Sequence, residues 1–187
     1  MTAIIIPPRG IPRPGLAGAR DGAVSVEFAI VLPLLFAIFL AIVTFAQAIA
    51  VSGKVSAAAG SMVDLIARSK TVDTAALNGV VVAGQQILYP NQAGTPVFGG
   101  RIVCVTFKGA SAPFTAQIAW EYDFGVHQGA APDLASLTAL AQAGVDVILV
   151  SVQYGYVPSV QNPFFSTLTM TRTAVSRPRI TSTVQRS

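Results

Sequence analysis

From Phe28 to Gly53 the chain carries no charged residue, and only Thr44, Gln47 and Ser52 break its apolar character. As an α-helix this run reaches roughly 39 Å at about 1.5 Å per residue, more than the ~30 Å of bilayer hydrocarbon. In lipid every backbone polar group must be satisfied internally, and a helix does this within one segment. The run therefore predicts a tilted transmembrane helix over residues 23–53. Pro33 falls near its start, where neighbouring backbone groups absorb a kink. Charged residues make up 11% of the 187-residue chain, against about 25% in an ordinary soluble domain.

The helical pattern does not stop at the bilayer. Val51, Val55, Ala59, Met62 and Ile66 recur at spacings of three and four, while Lys54, Ser61, Asp64 and Arg68 fall largely off that stripe. One helix from about Val24 to Ser69 is expected, its second half amphipathic and packed on a sheet. Arg9, Arg13 and Arg20, against Asp21, precede the apolar run; Lys54 follows it, and the next basic residue is Arg68. The positive-inside rule then places the N-terminus in the cytoplasm and residues 54–187 outside it. Pro7, Pro8, Pro12, Pro14 and Gly10, Gly15, Gly18, Gly22 make residues 1–22 an extended basic leader by composition.

Beyond the anchor, Asp73 is a good N-cap for a second helix through Leu77, Val81 and Leu88, ended by Pro90. Four strands follow. Arg101 to Lys108 is the first. Phe114, Ala116, Ile118, Trp120, Tyr122 and Phe124 alternate with Thr115, Gln117, Ala119, Glu121 and Asp123, which predicts one buried and one wet face. Ile148, Val150, Val152, Tyr154 and Tyr156 repeat the period, and Phe165 to Val175 sets a threonine row against Leu168 and Met170. Between the second and third strands, Pro132 and Asp133 open a short helix that Gly144 closes. The fold class expected is α+β: a long N-terminal transmembrane helix extending into a small antiparallel sheet covered on one face by helices.

Little in the chain points to chemistry. Cys104 and His127 are the sole cysteine and histidine, so there is neither an intramolecular disulfide nor a His/Cys zinc site to assemble. The net charge of +4 comes from scattered residues rather than a basic stripe interleaved with aromatics, which argues against nucleic acid as a partner. Glu121 and Asp123 are two carboxylates close in sequence, but they fall on the wet face of a strand, where solvated charge is expected. No Gly-x-Ser-x-Gly, phosphate loop or metal-ligand cluster is present. Ala37, Ala41, Ala46 and Ala50 have small-xxx-small spacing, which the abundance of alanine explains without a helix contact.

At the head of the apolar run stands Gly22-Ala23-Val24-Ser25-Val26-Glu27-Phe28. It resembles the processing motif of type IV prepilins, a glycine followed after four residues by Glu and an aromatic. The continuation Ala29-Ile30-Val31-Leu32-Pro33 resembles the TadE-like family of the tight adherence (Flp-type) pilus system more closely. Tyr154-Gly155-Tyr156-Val157-Pro158 and the Thr171-Arg172-Thr173-Ala174 ending with Arg177-Pro178-Arg179 are similar to the tail of such proteins. The resemblance implies a type IV pilin-like fold and a minor pseudopilin that takes part in pilus assembly without being an enzyme and without a cofactor. Its partners would be the membrane, a prepilin peptidase, other pilins and pseudopilins, and the pilus assembly platform, with no small-molecule substrate. It would sit in the bacterial inner membrane with its C-terminal domain in the periplasm.

The residues fit that chemistry. Gly22 offers a protease an unencumbered backbone, and cleavage there leaves Ala23 with a charged amine. Glu27, four residues on, is one helical turn from that amine and can neutralise it, or, as the resemblance implies, neutralise the amine of a neighbouring subunit. A carboxylate in a span costs about 2.5 to 3.5 kcal/mol at the bilayer centre and less near an end. Glu27 therefore either has a partner or snorkels to the interface. Three other readings remain open from the residues alone. One is a secretory signal cut at Ala46-Gln47-Ala48 or Ala48-Ile49-Ala50, which the length of the run and Glu27 disfavour. The second is a membrane-tethered enzyme, which has no residues to point to. The third is an uncleaved, membrane-anchored periplasmic structural protein unrelated to pili.

Overall fold

A computed structural model describes residues 17–91, 97–109, 114–126, 134–158 and 167–187. The chain divides into two compact units, Met1–Val43 and Thr44–Ser187, and helix α1 (Ala17–Ala67) contributes to both.

In the first unit, α1 exposes Phe28, Ile30, Leu34, Phe36 and Phe39. A face this apolar and this exposed has lipid as its natural solvent. The segment Val24–Ala67 is long and apolar enough to cross a membrane. The helix begins at Ala17, not Val24 as the sequence leads one to expect. The four leader prolines all lie upstream of Ala17, and elongating a helix adds a hydrogen bond for each residue fixed. The two glycines at 18 and 22, at about 1 kcal/mol each, do not stop it. The prolines themselves lie outside the described residues.

In the second unit, the expected stripe is the centre of the core. Val51, Val55, Ala59, Met62 and Ile66 are all buried, whereas Ser61 and Arg68 are exposed. Full burial of each large side chain contributes about 1.5 to 3 kcal/mol. Strand β1 (Thr71–Val72) follows, then helix α2 (Thr74–Ile87). Asp73 caps α2 as expected, its carboxylate accepting from the Ala76 N–H at 2.7 Å.

The four expected strands form one antiparallel sheet: β2 (Phe98–Lys108), β3 (Thr115–Gly125), β4 (Val147–Tyr156) and β5 (Leu168–Ser176). They are ordered β3-β2-β4-β5. One sheet face carries Ile102, Phe124, Ile148, Val150, Val152 and Tyr154 and packs with the α1 stripe, Leu77 and Leu88 in the main core. The fold is thus α+β, a long N-terminal apolar helix followed by a small antiparallel sheet.

The other sheet face is not wholly wet. Val103, Val105, Phe107, Val147 and Leu149 form a second core with Leu137. Leu137 belongs to a 3-10 helix, Ala135–Leu140, where a longer helix closed by Gly144 was expected. That glycine, at φ +69°, instead serves a turn that bridges Gln142 to Val145. Pro132 and Asp133 lie outside the described residues.

The alternation along β3 also resolves differently from its sequence pattern. Cys104 pairs with Trp120 but Val105 pairs with Ile118, so Ala119 has no opposite number and forms a bulge. An extra residue inverts the side-chain parity of everything beyond it. Phe114 and Ala116 therefore join the second core, while Trp120 and Tyr122 pack on the main one. Ile118, next to the bulge, stays 43% exposed. Gly125 ends β3 at φ +60°, where a Cβ would collide with the Phe98 carbonyl.

A further feature has no signal in the periodicity. Residues 177–187 return across the domain: Arg179 N–H donates to Ala67 O at 2.8 Å, and β6 (Gln185–Arg186) pairs in parallel with β1. Val184 is 2% exposed, and its carbonyl accepts from Trp120 Nε1 at 2.8 Å.

Candidate functional site

The residues singled out at the head of the apolar run all lie on α1. Gly22 and Ala23 are in helical backbone rather than an extended segment. A protease reads extended chain, so cutting between them requires the first turns of α1 to open; the glycines at 18 and 22 lower the cost of opening by about 1 kcal/mol each relative to alanine. Glu27 stands four residues past Ala23, on the same helical face. It is exposed, and Phe28, next along the chain, is 61% exposed. The geometry is that of a carboxylate held one helical turn past Ala23, at the start of the apolar run.

Elsewhere the polar clusters are structural. Glu121 and Asp123 lie on an exposed strand face, as expected, but beside them the structure adds Arg101. Its Nε and Nη2 donate to the two Asp123 oxygens at 2.6 and 2.9 Å, a bidentate pair, and Glu121 is 3.9 Å away. The Asp123 hydrogen bond raises the Arg101 pKa further. Asp123 is thus held in a bidentate ion pair with Arg101 across the β2–β3 pairing.

The buried acid is Asp146, 2% exposed, which periodicity did not single out. Thr106 Oγ1 donates to it at 2.7 Å, the Val184 N–H at 3.0 Å and the Cys104 thiol at 3.5 Å. Its own N–H donates to Ser182 O at 2.8 Å. Asp146 thus fastens the returning C-terminal segment to β2, a role that appears only once β2 and that segment are neighbours. Burial first, then the Asp146 charge, push the Cys104 pKa well above that of a free thiol. The thiolate is the reactive form, so native protein should leave Cys104 unmodified by a thiol reagent such as DTNB. Denatured protein should release one equivalent; rapid reaction of the native state would contradict the buried geometry.

Among the described residues no group of three His, Cys, Asp or Glu side chains is placed to hold a metal ion. His127 lies outside the described residues. What distinguishes this chain is therefore the helix head and the apolar run behind it.

Residues 22–61 match the family model described as TadE-like protein. The match begins at Gly22, includes Glu27 and the whole apolar run, and ends inside the buried stripe of α1. It bears out the resemblance read from Gly22 to Pro33. The likeness is to a family of pilus-associated structural proteins rather than enzymes. No curated protein and no solved structure matches the chain.

Proposed function

We propose that this protein is a minor pseudopilin-like component of a tight adherence (Flp) pilus assembly system, processed by a prepilin peptidase. Residues 1–22 are the leader, 23–53 the transmembrane helix and 54–187 the extracytoplasmic domain. The protein sits in the bacterial inner membrane with its N-terminus cytoplasmic and its domain periplasmic. The observation that carries the reading is Glu27, placed five residues after Gly22 at the start of an exposed apolar helix, within the segment matched by the TadE-like model.

On this reading the protein is the substrate of the peptidase and does no chemistry itself. The bond after Gly22 is cut, Ala23 becomes the mature N-terminus, and the Ala23 amine is neutralised by Glu27 of the same or a neighbouring subunit. Glu27 and Phe28 then guide packing against other pilin-type helices in the membrane and on the assembly platform. N-terminal sequencing of the membrane-extracted protein should read Ala23-Val24-Ser25. A protein that keeps Met1 or Thr2 in piliated cells is the uncleaved anchor, and the processing assignment is wrong.

A further inference from the structure

We infer that one end of the Thr44–Ser187 unit, formed by Tyr89, Val157 and Leu168, rests in the lipid headgroup layer, with Lys54 and Arg172 facing lipid phosphates. The inference rests on the reading of α1 as a membrane span. It adds to that reading a surface of the domain and a partner for it, the bilayer itself.

The roughly 20 residues from Val24 to Val43 rise about 30 Å as helix, the thickness of the hydrocarbon. At the usual tilt of about 20° the rise along the bilayer normal is still about 28 Å, so the next helical turn falls in the polar interface, which adds some 5 to 7 Å on each side. Gln47 is on that turn. Its side chain accepts from Tyr156 Oη at 3.3 Å, so the last residue of β4 is tied to the helix at that level. Leu168, the first residue of β5, pairs with Tyr156, and Val157 is the next residue beyond it.

These positions form one neighbourhood. Gln47, Lys54, Pro90, Asn91, Tyr156 and Val157 line a single shallow cleft. Around it Tyr89 is 77% exposed, Val157 45% and Leu168 51%. Apolar side chains scattered singly over a surface need no explanation, but these gather where the helix meets the interface. Tyr89 suits that layer because its ring is apolar and its hydroxyl polar.

Charge points the same way. Lys54 Nζ donates to Tyr89 O at 2.9 Å, and Arg172 Nη2 donates to Ser52 Oγ at 2.5 Å. Among the described residues neither makes an ion pair. Two cations flanking α1, one to two turns past Gln47, can turn toward lipid phosphates while their aliphatic stems lie on the helix. A second copy of the chain would have to accept both charges without an acidic patch to offer at this end among the described residues.

The test uses the full chain in liposomes containing an anionic phospholipid. Because Cys104 is buried, single cysteines introduced as Val157→Cys, Leu168→Cys and Ile180→Cys can be labelled selectively with an environment-sensitive fluorophore. Ile180 is 56% exposed and lies near Ala67, about 30 Å of helix past Gln47 at 1.5 Å per residue. Labels at 157 and 168 should be blue-shifted, and quenched severalfold more than the label at 180 by a phospholipid with a nitroxide near its headgroup. The shift should persist when protein is diluted in lipid. Equal quenching at all three sites overturns the inference. So does a shift at 157 that vanishes on dilution, since that identifies a second copy as the occupant. Sedimentation with the liposomes after an alkaline wash separates the two failures: protein that does not sediment refutes the membrane span itself, whereas protein that sediments with unquenched labels refutes only the docking surface.

Discussion

Cells carrying Glu27→Ala should insert the protein normally yet lose surface pili by an order of magnitude or more. Removing a carboxylate from the end of a span makes insertion easier, because the charge opposes entry into lipid. What is lost, on the proposed function, is the group that neutralises an N-terminal amine in a low-dielectric surrounding, where an unpaired charge is costly. Glu27→Asp should retain part of the function and Glu27→Gln should not, since the amine needs a negative charge rather than a hydrogen-bond acceptor of the same shape. Membrane fractionation, immunoblotting and counts of pili by electron microscopy give the three readouts. Normal piliation of the Ala variant would assign Glu27 to the interface alone and remove it from assembly.

The second large effect belongs to the domain. Met62→Ala should destabilise it by about 2 to 5 kcal/mol, the usual range for removing a buried methionine side chain. Met62 is fully buried on the α1 stripe, and its thioether lies against Gly84 of α2, close enough that a Cβ at 84 would come within 2.5 Å of the sulfur. Gly84→Ala alone therefore forces the methionine aside. In the Met62→Ala background the added methyl enters the space the methionine left, so the two costs should not add. Urea unfolding of the detergent-solubilised protein, followed through Trp120, measures all four members of this cycle. Additive losses would mean that the α1 and α2 faces do not meet as described. Since whole domains are stable by only about 5 to 15 kcal/mol, Met62→Ala alone removes a substantial share of the domain's stability.

Much of the architecture was legible because it is periodic. The apolar run, the stripe from Val51 to Ile66, the Asp73 cap and four strands each have a local signature, and each was found within a few residues of where the pattern put it. The candidate processing and assembly residues, Gly22, Ala23, Glu27 and Phe28, were picked out for another reason, their order along the chain, and they fall at the start of the segment, residues 22–61, that matches the TadE-like model. Arg101 was not legible as the partner of Asp123, because 22 residues separate them and only strand pairing brings them together. Asp146 looked like any single acid between two valines until the C-terminal segment closed over it.

The chain alone determines that an uncharged helical run long enough for a bilayer precedes a sheet-forming domain, since hydrophobicity and period act through neighbours a few positions away. Only the tertiary structure decided which sheet face each β3 side chain occupies. A single unopposed residue, Ala119, reverses the parity without altering the alternation in the sequence, because register is a property of two strands and not of one. The return of residues 177–187 was decided in the same way, by a buried carboxylate whose partners come from β2 and from the segment itself. Those contacts join residues about 40 positions apart, and no local pattern encodes them.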